Sequence, residues 1–116
     1  MIISKSFKFD AAHKLENYKG RCENLHGHTY RIVVSVEGNI DEKTGMVIDF
    51  CELKKSFEEK VLSRLDHSYL NDIIENPTCE NTLLWIKSEL EKQKNFKNLK
   101  KLALYETEDS WCELEC

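Results

Sequence analysis

The stretch "CENLHGHTYRIVVSV", residues 22–36, places two histidines at the start of a run in which apolar and polar residues largely alternate. Side chains two positions apart on a β-strand leave the same face of the sheet. His26 and His28 therefore share a face with a series of apolar residues, Tyr30, Ile32, Val34 and Val36. We predict a strand over residues 26–38 whose apolar face begins with two imidazoles.

A second alternating run supplies a third histidine. Residues 2–14, "IISKSFKFDAAHK", alternate with period two, which is typical of a half-buried strand. His13 is in phase with the apolar positions Ile3, Phe7, Phe9 and Ala11. If the two strands belong to one sheet, the three imidazoles of His13, His26 and His28 converge.

Three neutral imidazoles are a ligand set that Zn²⁺ accepts in tetrahedral geometry. An isolated His-x-His pair is common, and His13 by itself would be interpreted as a hydrogen-bonded core histidine. The shared phase of all three histidines favours a metal site, and Gly27 permits a close approach. Three protein ligands leave a fourth position for water or substrate, whereas Cys22 could instead fill it and make the site structural.

The rest of the chain predicts two helices and further strands. Asp49 and Glu52 have capping-box spacing before apolar residues at helical intervals, namely Phe50, Leu53, Phe57, Val61 and Leu65. Thr78 is the expected N-cap of a second helix lined by Leu83, Ile86 and Leu90. We predict short strands at "MVID", residues 46–49, and in the closing segments "KKLALYETE" and "SWCELE". Hairpin-linked strands with grouped helices indicate an α+β fold, with an antiparallel sheet covered on one face.

Two further groups carry chemistry. Glu106 shares a strand face with Leu102 and Leu104, so its carboxylate needs a partner, either a structural cation or a ligand with two adjacent N–H donors. Asp66 adjoins His67, and a carboxylate can orient an imidazole for acid–base work. The alternative for this pair is a helix-terminal histidine beside a solvated carboxylate.

Composition excludes several classes of protein. The length of 116 residues, with 41% apolar, is typical of one domain, and a net charge of −4 disfavours nonspecific nucleic-acid binding. The chain has no apolar run near the roughly 20 residues that a membrane helix needs, nor a signal-peptide core, so we expect a cytoplasmic protein. Five cysteines cannot all pair within the chain, which favours free thiols or metal chemistry.

Six segments taken in order resemble one known family. They are "FDAAHKL", "CENLHGHTY", "GMVIDF", "LDHSYLND", "NPTCEN" and "LYETE", and they are similar to the motifs of the 6-pyruvoyltetrahydropterin synthase / 6-carboxytetrahydropterin synthase family. The resemblance implies a single domain over residues 1–116 with the tunnelling fold, a four-stranded antiparallel sheet with two helices on one face. It also implies a homo-hexamer made of two trimers, with active sites between subunits.

The resemblance also implies roles for individual residues. His13, His26 and His28 would bind zinc, Cys22 would be the catalytic thiol, and Asp66 with His67 would transfer protons. Glu106 would anchor the pterin ring, helped by Thr78 and Glu80. Candidates for binding the substrate's triphosphate are Lys14, Lys19, Arg21 and Arg31, and the sequence does not choose among them.

The spacing Cys-x3-His-Gly-His is similar to the 6-carboxytetrahydropterin synthases of queuosine biosynthesis, although Glu23 stands where a small residue is frequent. Their substrate is 7,8-dihydroneopterin triphosphate. Alternatives on the same fold are the pyruvoyl-forming enzyme and an enzyme that cleaves the dihydroneopterin side chain. An alternative of another class is a noncatalytic zinc-binding module.

Overall fold

Two long antiparallel strands form the centre of the fold. The computed structural model describes residues 1–16, 20 and 24–116. Strand β1, Ile2–His13, pairs along its whole length with β2, His26–Glu37. The register sets Phe7 opposite Ile32 and His13 opposite His26. The predicted strands are therefore confirmed, and their register brings the histidine-bearing ends together.

The sheet contains one strand more than the four that the family resemblance implies. Strands β3 (Ser68–Tyr69), β4 (Leu99–Thr107) and β5 (Ser110–Glu115) complete it in the order β3-β1-β2-β4-β5. The prediction of four antiparallel strands is wrong in this detail, because β3 pairs parallel to β1 through Ala11 and Ala12. The strand predicted at residues 46–49 is also wrong, since this segment passes directly from a turn to a helix cap.

Both predicted helices begin at the expected caps. Asp49 accepts a hydrogen bond from the Cys51 amide, 2.8 Å, before α1, Phe50–Phe57. Helix α1 continues through a π-helical turn, Glu58–Leu62, and a last α-helical turn, Ser63–Leu65. Thr78 caps α2, Cys79–Glu91, by accepting from the Asn81 amide at 3.0 Å. Among the described residues, no helix combines the length and apolar character needed to span a membrane.

The hydrophobic core lies between one face of the sheet and the two helices. We call this the inner face and the opposite one the outer face. Phe7 stacks on Phe57 of α1 with ring centroids 4.2 Å apart, and Phe9 stacks on Tyr30 at 4.9 Å. Phe50 is half exposed, so it does not belong to the core with the later apolar residues of α1. The α+β class, with helices packed on one face of the sheet, is confirmed.

Candidate metal centre and active site

The three predicted metal-ligating histidines meet at one end of the inner face. Their ring centroids lie 4.5 Å apart for His13 and His26, 5.1 Å for His13 and His28, and 4.8 Å for His26 and His28. His13 is fully buried, and the other two are partly buried. The convergence expected from the strand periodicity is therefore present.

Main-chain carbonyls orient two of these rings. The Nδ1 atom of His13 lies 2.8 Å from the Pro77 carbonyl oxygen, and that of His26 lies 2.7 Å from the Asn24 carbonyl oxygen. A carbonyl oxygen only accepts hydrogen bonds, so each Nδ1 carries the hydrogen and donates it. In the neutral rings, Nε2 is then left with its lone pair, which is the form that binds metals.

The two Nε2 atoms face each other at 2.9 Å. With both hydrogens committed to Nδ1, two lone pairs would point at one another, an arrangement that a cation between them relieves. Two nitrogen ligands of a tetrahedral ion with bonds of roughly 2.0–2.1 Å lie roughly 3.3 Å apart, close to this separation. The pair His13–His26 therefore fits one small metal ion without a large rearrangement.

The third ring, His28, has a buried nitrogen to offer. Its Nε2 atom has no hydrogen-bond partner among the described residues, although the carboxylate of Glu106 lies 3.1 Å away at an unsuitable angle. Burial lowers the pKa of His28, and the Glu106 charge opposes this in part. The desolvated environment thus favours the neutral imidazole, which is the ligand form.

Glu106 belongs to this cluster more closely than the sequence indicated. Ligand atoms of Glu106 and the three histidines all lie within 4.8 Å of one another. For this carboxylate the sequence left open a structural cation or a ligand with two N–H donors, and the structure places the His28 ring beside it at 3.1 Å. The phase of β4 could have revealed this, because Leu104 pairs with Ile32 and Glu106 continues the same face toward His28.

Gly27 allows the two strands to approach closely beside the cluster. A Cβ atom placed there would lie 3.3 Å from the main-chain oxygen of Ala11, tighter than usual. The close approach predicted for Gly27 is present, but it is to the neighbouring strand. Its outer-face position opposite Ala12 keeps β1 and β2 paired up to their histidine ends.

Asp66 and His67 form a second, exposed pair beside β1. The Asp66 carboxylate lies 3.2 Å from His67 Nδ1 and also accepts a hydrogen bond from the Asp10 amide at 3.0 Å. His67 has φ of 59°, a left-handed conformation that non-glycine residues rarely adopt, and its amide donates to the Asp10 carbonyl at 2.6 Å. The His67 side chain is 78% exposed and shares an open depression of about 520 Å³ with His28.

The remaining predicted site residues are spread around this centre. Thr78 uses its hydroxyl as the α2 cap, and the exposed Glu80 shares a cavity of about 250 Å³ with Glu106. The Lys14 main chain exchanges two hydrogen bonds with the Asn71 side chain. Three predicted residues lie outside the described part of the chain, namely Cys22, Lys19 and Arg21.

Comparisons with known proteins agree with the fold and the motifs. The model of the 6-pyruvoyl tetrahydropterin synthase family matches residues 2–116. A 6-carboxy-5,6,7,8-tetrahydropterin synthase of Synechocystis is 43% identical over 97 residues, which cover 78% of this chain and 75% of the relative. A dihydroneopterin monophosphate aldolase of Pyrococcus furiosus is 46% identical over 110 residues, covering 92% and 90% of the two chains.

A solved structure extends the agreement to three dimensions. The 6-pyruvoyl tetrahydropterin synthase of Caenorhabditis elegans superposes with a TM-score of 0.90 at 28% identity, covering 100% of this chain and 95% of that one. The family model covers nearly the whole chain, and the resemblance derived from the six motifs is confirmed. The chain belongs to the 6-pyruvoyl tetrahydropterin synthase family, whose members are enzymes of pterin chemistry.

Proposed function

We propose that the protein is a zinc-dependent lyase that converts 7,8-dihydroneopterin triphosphate and one water molecule to 6-carboxy-5,6,7,8-tetrahydropterin, acetaldehyde and triphosphate. The main support is the inner-face cluster, where three imidazoles converge beside the carboxylate of Glu106. The similarity to the Synechocystis 6-carboxy-5,6,7,8-tetrahydropterin synthase adds support for this product.

His13, His26 and His28 would hold the metal through their Nε2 atoms. Zinc bound there would act as a Lewis acid and acidify the hydroxyl groups of the substrate side chain. The carbonyl partners of His13 and His26 keep the two rings in place, so this chain orients its ligands before any metal arrives.

Proton transfer would fall to Cys22 and to the Asp66–His67 pair. We assign to the Cys22 thiolate the removal of a carbon-bound proton beside the pterin ring. His67, oriented by Asp66, would exchange a proton on the other side of the side chain. Its exposure leaves the ring free to reach substrate, and in a family-type assembly a neighbouring subunit would supply the rest of the enclosure.

Glu106 would select the pterin. A carboxylate offers two oxygens that match the adjacent 2-amino and N3 hydrogens of the ring. One of its oxygens lies 3.1 Å from His28 Nε2, and the side chain also lines the cavity that contains Glu80. Thr78 and Glu80 would contribute from the start of α2.

A second candidate function is cleavage of the dihydroneopterin side chain to 6-hydroxymethyldihydropterin. The specific observation in its favour is the 46% identity to the Pyrococcus furiosus dihydroneopterin monophosphate aldolase. Formation of 6-pyruvoyltetrahydropterin is the remaining alternative on this fold. A noncatalytic zinc module would require a closed coordination sphere, with Cys22 or Glu106 as the fourth ligand.

Product analysis tests the proposal. Purified, zinc-loaded protein would be incubated with dihydroneopterin triphosphate, and the products would be identified by mass spectrometry. We expect 6-carboxytetrahydropterin and acetaldehyde in equal amounts, and detection of 6-hydroxymethyldihydropterin or 6-pyruvoyltetrahydropterin instead would overturn it. The matched control is Cys22→Ala, which should keep its zinc and lose turnover. Loss of zinc in that variant would make Cys22 a structural ligand.

The wider setting remains part of the proposal. A homo-hexamer, a place in queuosine biosynthesis and a cytoplasmic location are predictions from the sequence. Analytical ultracentrifugation tests the first, since a trimer or hexamer sediments well apart from a 13.6 kDa monomer.

A further inference from the structure

A cavity opens where β2 and β4 separate. The two strands are paired as far as Arg31 and Tyr105, and the β4–β5 register shifts immediately beyond Tyr105. The cavity, about 400 Å³, lies past this last pair. His28 and Glu106 of the metal cluster line it, and so do Lys8 and Arg31 of the outer face. It therefore connects the candidate metal centre with a basic part of the opposite face.

The two basic residues stand directly opposite each other. Lys8 of β1 and Arg31 of β2 are cross-strand partners on the outer face. Like charges in this arrangement repel and destabilise the sheet unless an anion compensates them. Neither forms an ion pair with a carboxylate in the described part of the chain, whereas Lys101 of the same face pairs with Glu113 at 3.2 Å.

An aromatic platform holds the guanidinium in position. The Arg31 guanidinium carbon lies 3.9 Å from the centre of the Tyr105 ring, and Tyr105 stacks on Trp111 at 5.1 Å. Stacking on a ring face leaves the edge N–H groups of arginine free for a planar or tetrahedral oxyanion. The donors are thus preorganised, which reduces the entropy lost when an anion binds.

The negative charges in the same cavity are accounted for separately. Glu106 lies against His28 on the metal side, 3.1 Å from its Nε2. Glu108 is exposed in the turn between β4 and β5. Neither is ion-paired with the basic residues in the described structure, so the cationic side and the carboxylate side of the cavity remain distinct.

We propose that Lys8 and Arg31 bind the phosphate chain of the pterin substrate. This inference rests on the proposed function for the identity of the substrate, but the anion site itself does not. It selects Arg31 from the four candidates that the sequence left open and adds Lys8, which the sequence did not indicate. The ring and side chain would then occupy the Glu106 and His28 side of the cavity, and the phosphates the outer-face side.

Binding of inorganic tripolyphosphate tests the anion site directly. Isothermal titration calorimetry would compare the wild-type protein with Lys8→Gln and Arg31→Gln. Charge-assisted hydrogen bonds to phosphate lead us to expect Kd to rise about tenfold or more in each variant. The matched control is Lys101→Gln, which removes an ion-paired cation of the same face and should leave Kd unchanged. Zinc content measured before and after titration separates binding to the protein from extraction of the metal.

Two results would overturn the inference. One is a Kd for tripolyphosphate that Lys8→Gln and Arg31→Gln leave unchanged. The other is a loss in Lys101→Gln equal to theirs, which would indicate a diffuse field instead of a site. Because Lys8 is exposed, its variant should fold even if Arg31→Gln does not.

The same variants separate this inference from the proposed function. With dihydroneopterin triphosphate, we expect KM to rise about tenfold while zinc content stays at the wild-type level. If the protein turns over no pterin but still binds tripolyphosphate through Lys8 and Arg31, the proposed function fails and the anion site stands. If turnover is normal and both variants keep the wild-type KM and Kd, the anion site fails and the function stands.

Discussion

The three-histidine cluster and the Asp66–His67 pair place imidazoles in opposite environments. His13 is fully buried, and His13 and His26 each donate a hydrogen bond to a main-chain carbonyl. His67 is 78% exposed, and the Asp66 carboxylate beside it is held by the Asp10 amide. The cluster is built entirely by this chain and points inward. In the Asp66–His67 pair the protein holds the carboxylate, while the exposed imidazole of His67 is accessible to a ligand or a neighbouring molecule.

We expect this difference to separate a metal ligand from a proton-transfer group. A metal ligand needs a fixed ring with a free lone pair, and at His28 burial lowers the pKa and so favours the neutral form. A proton-transfer group needs access to its substrate, which the exposure of the His67 ring provides. We therefore propose that the same residue type serves two roles, because the backbone gives it two different surroundings.

The largest expected effect is loss of the metal from the cluster. His13→Ala should lower zinc affinity by more than about 100-fold, since even the partners that orient a ligand are worth about 10–100-fold. Zinc content by plasma mass spectrometry after dialysis measures this. The matched control is His67→Ala, which should retain wild-type zinc. Equal zinc loss in both variants would contradict the prediction that the three-histidine cluster, and not the Asp66–His67 pair, binds the metal.

The next effect concerns turnover without metal loss. His67→Gln should lower kcat by about 100-fold to 10,000-fold, the range that general acid–base groups contribute. Zinc content and the melting temperature should match those of the wild type, because the ring is exposed and outside the cluster. If kcat stayed at the wild-type value, the Asp66–His67 pair would have no catalytic role and would be only a solvated helix end.

Glu106→Gln divides the cluster itself into ligands and substrate contacts. The amide keeps the size of the side chain but loses one of the two acceptor oxygens, so pterin affinity should fall about tenfold. Fluorescence titration with a nonreactive pterin measures this affinity. Zinc content should not change, and a fall in zinc would make Glu106 a fourth ligand and support a closed site.

The smallest expected effect concerns stability and the buried hydroxyl of Tyr30, which lies beside the three-histidine cluster. Tyr30 is fully buried, its ring lies 6.0 Å from that of His13 and 5.5 Å from that of His28, and its hydroxyl has no partner among the described residues. Burial raises the pKa of Tyr30 well above its usual value, so the hydroxyl stays protonated.

An unpaired buried hydroxyl costs roughly 1–3 kcal/mol, so Tyr30→Phe should increase the free energy of unfolding by about 1 kcal/mol. Urea denaturation of the metal-free protein measures this free energy. The substitution keeps the aromatic ring that stacks on Phe9, so only the hydroxyl is removed. A decrease of similar size would show that the hydroxyl has a partner in solution.

Periodicity alone predicted the parts of the site that lie on long strands. His13, His26, His28 and Glu106 each follow the phase of apolar neighbours that face the helices, and the structure places all four together. Helix caps at Asp49 and Thr78 were equally accessible, because a cap depends on local residue types.

Other features depend on contacts between distant segments. Strand β3 has only two residues and exists because it pairs with β1, so no alternation could indicate it. The opposition of Lys8 and Arg31 depends on register, and a shift of two residues would preserve every face while separating them. The carbonyls of Asn24 and Pro77 belong to irregular segments whose paths the sequence does not dictate.

The contact between His13 and Pro77 joins the cluster to a distant helix. Pro77 immediately precedes Thr78, which receives the amides of Asn81 and Thr82 in the first turn of α2. When a metal coordinates the ring through Nε2, Nδ1 becomes a stronger donor, and its hydrogen bond to the Pro77 carbonyl oxygen strengthens. Deuterium uptake at the amides of Asn81 and Thr82 would therefore slow when a metal binds the three-histidine cluster. Hydrogen exchange at the start of α2 would then report whether the cluster is occupied.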